Sequence, residues 1–148
     1  MKPNRANYKP VLFLLFFLLL MKSSIAQHDT SNVEKKMKYY DHLIQQIDAD
    51  SIALLYTPNG QLDEMAKGRD SIKQFLSSFK NIQVLSQQST SQSVNIIADT
   101  AFQKGFYTQK DVVNNKDTIT VRGSYTARWE WIKNEGWHIQ KMETQPLK

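Results

Sequence analysis

With 148 residues, 41% of them hydrophobic and 22% charged, the chain has the size and composition of one globular domain, and without cysteine it has no disulfide to hold it. The formal net charge of +5 suggests an acidic partner until its source is located: of 19 basic residues, four (Lys2, Arg5, Lys9 and Lys22) fall in the first 26, leaving 15 against 14 acidic ones. Nucleic acid is therefore not an expected partner.

The first 26 residues open on positive charge and continue into an unbroken apolar run, Val11 to Met21. Such a run is too short to cross a bilayer as a helix, which takes roughly 18 residues or more. Ser24-Ile25-Ala26 follows as a small-x-small cleavage site. Residues 1–26 are read as a secretory signal peptide removed after Ala26, the alternative being an uncleaved anchor. Residues 27–148 are then a single domain, secreted or periplasmic, with no stable membrane anchor after cleavage. No cysteine follows the cleavage site to carry a lipid.

Thr30 or Ser31 can cap a helix in which Val33, Met37, Tyr40, Ile44 and Ile47 form one apolar stripe, with Lys35, Lys36, Asp41 and Gln45 on the far side. Asp48-Ala49-Asp50 offers a new N-cap for a short helix over Ser51 to Tyr56. Thr57-Pro58-Asn59-Gly60 then predicts a tight turn, and Gln61 to Met65 a short strand. A third helix begins at Gly68-Arg69-Asp70-Ser71, with Ile72, Phe75, Leu76 and Phe79 at i, i+3, i+4 and i+7.

Beyond Asn81 the pattern is that of strands. Ile82 to Ser86 and Ser93 to Ala98 flank the polar stretch Gln87 to Gln92, which reads either as continuous strand or as loop. Ala101 to Val113 is a long strand between the turns Asp99-Thr100 and Asn114-Asn115-Lys116-Asp117. The clearest signal comes last. From Ile119 every second residue is Ile119, Val121, Gly123, Tyr125, Ala127, Trp129 and Trp131, alternating with Thr120, Arg122, Ser124, Thr126, Arg128 and Glu130. That is a long strand with one buried face. Lys133-Asn134-Glu135-Gly136 turns it into a returning strand over Trp137 to Met142.

The order of three helices, the middle one short, then four long antiparallel strands ending in a Trp-rich hairpin resembles the SnoaL-like, nuclear-transport-factor-2-like superfamily. The residues that carry the likeness are Leu54-Leu55-Tyr56 before Pro58-Asn59-Gly60, then Gly68-Arg69-Asp70-Ser71-Ile72, then Asp99-Thr100-Ala101 with Gly105 and Tyr107. Gly123-Ser124-Tyr125, Trp129, Gly136-Trp137-His138-Ile139 and Pro146 complete it. The resemblance covers residues 33 to 146 and implies an α+β fold, a cone-shaped curved antiparallel sheet wrapped around three N-terminal helices, with a pocket between them. It does not fix a function, because this fold carries isomerases, dehydratases, cyclases, binding modules and adaptors.

The resemblance to steroid-isomerase members of the fold also implies a general base at Glu64 and a hydrogen-bond-donating tyrosine at Tyr40. The second acid those isomerases carry has no counterpart in Thr126-Ala127-Arg128-Trp129. Asp63 points opposite to Glu64 in a strand, so the inward acid turns on a single residue of register. The structural alternative is a rim-exposed Glu64 and a core Tyr40 bonded to backbone. Tyr56, Phe79, Tyr107, Tyr125 and Trp129 are candidate ligand contacts, or simply core. His138 is out of phase with Trp137 and Ile139 and is expected on the opposite face. His28, His42 and His138 show no metal-ligand spacing, and no cofactor or nucleophile motif is present.

The leading expectation is a domain that binds a small hydrophobic ligand. The alternatives are an isomerase, dehydratase or hydrolase using Glu64, and a protein-interaction module acting through the polar sheet face. Arg122, Arg128 and Glu130 on that face are either solvated or form a homodimer through the sheet.

Overall fold

A computed structural model describes residues 29–79 and 81–147. The expected leader, residues 1–26, lies outside them. Helix α1 spans Thr30–Gln46 and α2 Ala49–Leu55; strands β1 (Tyr56–Leu62) and β2 (Ala66–Lys67) precede helix α3 (Arg69–Ser77). Four long strands follow: β3 (Ile82–Ile97), β4 (Thr100–Val113), β5 (Asp117–Ile132) and β6 (Gly136–Pro146). They form one six-stranded sheet in the order β2-β1-β6-β5-β4-β3. All neighbours are antiparallel except β1 and β6, which run parallel.

The helix stripe acts as expected at Val33, Met37 and Tyr40, all buried. The cap is Asp29, whose carboxylate accepts from the Ser31 N–H at 3.0 Å, immediately upstream of the expected candidates Thr30 and Ser31. Two residues placed on the far side are not there. The Asp41 carboxylate is buried against β3, where it accepts from the Ser89 N–H (2.8 Å) and Ser89 hydroxyl (2.6 Å), and Gln45 donates to the Leu85 carbonyl at 2.8 Å. Side-chain polarity misassigned them, since a short polar side chain facing a sheet is stable once its hydrogen bonds are met.

β4 and β5 pair without interruption, whereas β3 skips register at Leu85 and Gln92 and β6 at Gln140. Extra residues in the flanking strands bend them and raise local twist, which is how a sheet curls around helices. The Leu85 bulge is the one whose carbonyl Gln45 captures. The polar stretch 87–92, which reads as either strand or loop, is therefore continuous strand with one bulge, and Ile82–Ile97 is a single strand.

Tyr56–Leu62 is strand where helix end and turn were expected. The turn chemistry is nonetheless used. Tyr56 lies opposite Ile139 and Gln61 opposite Lys141, so Thr57–Gly60 bulges out of the ladder, the kind of place where proline is tolerated in a sheet. A Cβ on Gly60 would sit 2.8 Å from the Tyr56 Cβ and 2.9 Å from the Ile139 oxygen, so nothing larger fits. The chain then turns at 63–65, where a strand was expected, and returns as β2.

The alternation of β5 holds from Gly123 to Trp129, with Val121 and Trp131 partly buried; Ile119 is 43% exposed because the helices do not extend over that end. The core gathers at the other end, where Trp129, Trp137, Ile139, Ile52, Ile72 and Tyr56 are excluded from solvent. Trp131 meets Trp137 edge-to-face at 5.4 Å.

Candidate functional site

A cavity of about 260 Å³ lies between α1, α3 and the inner face of the sheet. Its walls are mainly apolar. Met37, Ile44 and Ile47 come from α1 and its end, Phe75, Leu76 and Phe79 from α3 and the residues after it, and Leu62 and Met142 from the sheet. Met65 and Phe79 are the exposed apolar residues of the lining and mark its mouth. Polar groups reach it from Tyr40, Asp63, Gln87, Ser89, Tyr107, Gln109, Tyr125 and Thr144.

Two glycines shape the sheet side. Gly105 pairs with Tyr125 and Gly123 with Tyr107 across the same two strands. A Cβ on Gly105 would meet the Tyr125 ring and the Thr90 carbonyl, and one on Gly123 would collide with the Tyr107 ring. Each tyrosine thus lies across the bare backbone of the opposite glycine, a cross-strand arrangement that a larger residue would displace.

Asp63 occupies a tight turn with φ +48, a left-handed conformation that aspartate tolerates better than most residues. Its N–H donates to the Met142 carbonyl at 2.8 Å. The Thr144 N–H (2.6 Å) and Thr144 hydroxyl (2.9 Å) donate one to each carboxylate oxygen. Thr144 faces inward because of the Gln140 bulge. Strict alternation from Trp137 and Ile139 would bring Lys141 and Glu143 inward, but the extra residue brings Met142 and Thr144 instead.

Glu64, the expected general base, is exposed on this turn and does not line the cavity. The expectation assumed a strand through Met65, in which neighbouring acids alternate faces. The turn replaces that choice, and Asp63 is the acid at the cavity.

Tyr40 lines the cavity as expected, and burial, with the nearby charges of Asp41 and Asp63, pushes its hydroxyl pKa up to about 12. Tyr56 lies beside it. Its hydroxyl approaches that of Tyr40 without a hydrogen bond of ordinary geometry, and burial holds its pKa well above the usual phenol value. Tyr107 is raised by burial and by Asp63. These phenols are donors at neutral pH.

Of the five expected ligand contacts, Phe79, Tyr107 and Tyr125 line the cavity, while Tyr56 and Trp129 are buried in the core behind it. Trp129 acts at one remove. Its indole N–H donates to Gln103 Oε1 at 3.0 Å, and Gln103 Nε2 donates to Ser91 Oγ at 2.7 Å. Ser91 Oγ lies 3.4 Å from the Tyr125 hydroxyl. An indole can only donate, so it fixes which way the Gln103 amide faces.

Thr144, Gln87, Ser89 and Gln109 carry no signal in the sequence that marks them as lining residues. His138 is nearly buried, and burial lowers its pKa, with Glu135 3.4 Å from Nε2. No group of His, Cys, Asp or Glu among the described residues has metal-binding geometry. The outer sheet face carries Lys104, Lys110, Arg122 and Arg128, with Arg128 over the ring of the half-exposed Phe102 at 5.8 Å.

No family model and no curated protein matches the chain by sequence. Among solved structures it is similar to a ketosteroid isomerase-like protein from Erwinia carotovora, with 14% identity and TM-score 0.70 over 80% of this chain and 95% of that one. It is also similar to a nuclear-transport-factor-2-like protein with a cystatin-like fold from Novosphingobium aromaticivorans, with 15% identity and TM-score 0.69 over 98% and 93%. A Mycobacterium tuberculosis protein of unknown function matches with 13% identity and TM-score 0.72 over 80% and 76%. The architecture is thus the nuclear-transport-factor-2-like α+β cone, as the family resemblance implies.

Proposed function

We propose that this chain is an exported domain that binds a small, largely apolar molecule in the cavity between the helices and the curved sheet. The observation that carries this reading is the cavity itself, about 260 Å³ with apolar walls and a few convergent polar groups, the usual character of a small-molecule site. Export rests on the leader-like sequence of residues 1–26. Native mass spectrometry of the chain purified from its own host tests the binding reading. A copurified small molecule, lost when Leu76→Trp fills the cavity in a folded variant, is the expected result. A ligand-free chain that also takes up no neutral apolar dye would overturn it.

One observation favours a second reading, acid–base catalysis on the bound molecule. The Asp63 carboxylate is anchored by Thr144 and lies close enough to Tyr40 and Tyr107 for its charge to raise both phenols. An anchored acceptor beside protonated donors suits proton transfer next to a carbonyl. Asp63→Asn separates the readings: catalysis predicts loss of turnover with the ligand still bound, whereas pure binding predicts no turnover to lose.

A further inference from the structure

The polar groups of the cavity are not evenly mixed. Asp63 is the charged member of the lining, and no described Lys, Arg or His contributes to it. Thr144 supplies two donors to Asp63, while a carboxylate offers about four acceptor sites, so roughly two remain for a ligand. Behind the wall, Gln109 Nε2 donates to both oxygens of the buried Asp111 at 2.9 Å each. That turns its amide hydrogens away and leaves Oε1 as the group Gln109 can offer. Ser89 spends its hydroxyl hydrogen on the buried Asp41, so it too retains acceptor capacity. Neither Asp41 nor Asp111 forms an ion pair with a described cation.

The cavity therefore has apolar and aromatic walls, one carboxylate at its surface, two more just behind, and no described cation in its lining; Lys141, near enough to Asp63 for their charges to interact, lies outside the lining and is ion-paired with Glu143. An anionic ligand would enter this field unpaired, at a cost burial makes large. A cation would be paired by Asp63, and the faces of Tyr107, Tyr125 and Phe75 are suited to cation–π contact. We propose that the ligand is a small organic amine, protonated at neutral pH, whose ammonium group pairs with Asp63 and whose apolar body fills the space between α1 and α3. This rests on the reading that the cavity holds a ligand.

Three compounds of nearly equal size test it on the purified chain: 2-phenylethylamine, 2-phenylethanol and phenylacetate, each competing with the neutral dye N-phenyl-1-naphthylamine. The amine is expected to displace the dye at about one-tenth of the alcohol concentration or less, the scale of a charge-assisted hydrogen bond, while phenylacetate does not compete. In Asp63→Asn the advantage of amine over alcohol should shrink to about threefold or less with alcohol binding kept. Should that variant fail to fold by circular dichroism, the ranking in the natural chain decides alone. If the alcohol or phenylacetate matches or beats the amine while the dye binds, the amine class is wrong and the cavity reading survives. If neither dye nor any of the three compounds binds, both fall.

Discussion

The two ends of the cone are built from the same strands and do opposite things. At the closed end β5 and β6 contribute Trp129, Trp131, Trp137 and Ile139, and the helices add Ile52 and Ile72, so large side chains fill the interior. Four to six residues further along the same face of β5, Tyr125 and Gly123 meet Gly105 and Tyr107, and the interior is open. The difference is one of volume: at Gly105 and Gly123 a tyrosine ring lies across bare backbone, whereas the indoles of Trp129 and Trp137 are buried and fill the interior. A single alternating strand can thus encode core and cavity wall in succession.

That contrast is best broken at the closed end. Trp129→Ala should cost about 3–5 kcal/mol in chemical denaturation, through the lost volume and the unpaired Gln103 carbonyl. A loss under about 1 kcal/mol would mean that the interior relaxes as freely there as at the open end. Gly123→Ala probes the other end, since its Cβ must displace the Tyr107 ring. The expected cost is about 1–3 kcal/mol, with dye affinity falling more than the stability loss alone explains.

The smallest expected effect lies at His138, between Trp137 and Ile139 on β6. Burial lowers its folded pKa below the unfolded value, so between the two the unfolded state binds more protons and stability rises with pH. Stability should therefore decline as pH falls below about 6.5, the unfolded histidine value. Thermal melts from pH 7.5 to 5 should show a shallower decline in His138→Gln, and identical slopes would remove the histidine from the account.

Much of this was legible in residue order. The helical stripe through Val33, Met37 and Tyr40, the spacing of Ile72 and Leu76, and the alternation from Gly123 to Trp129 are local patterns, and each produced its element. The failures share one physical origin. Thr57–Gly60 has the residues of a turn and becomes a bulge, because pairing with β6 continues on both sides of it. Asp41 reads as solvent-facing and is buried, because Ser89, 48 residues away, satisfies it.

The amino-acid sequence by itself determined the three helices, the long strands and the aromatic inner face of the final hairpin, because hydrophobic periodicity and turn chemistry act over a few neighbouring residues; the cone was implied by the family resemblance that their order carries. Tertiary structure alone decided which acid stands at the cavity. The left-handed turn at Asp63 and the extra residue at Gln140 bring Asp63 and Thr144 together across 81 positions of sequence. A one-residue slip in either element exchanges the faces of everything beyond it, and only the assembled sheet fixes that register.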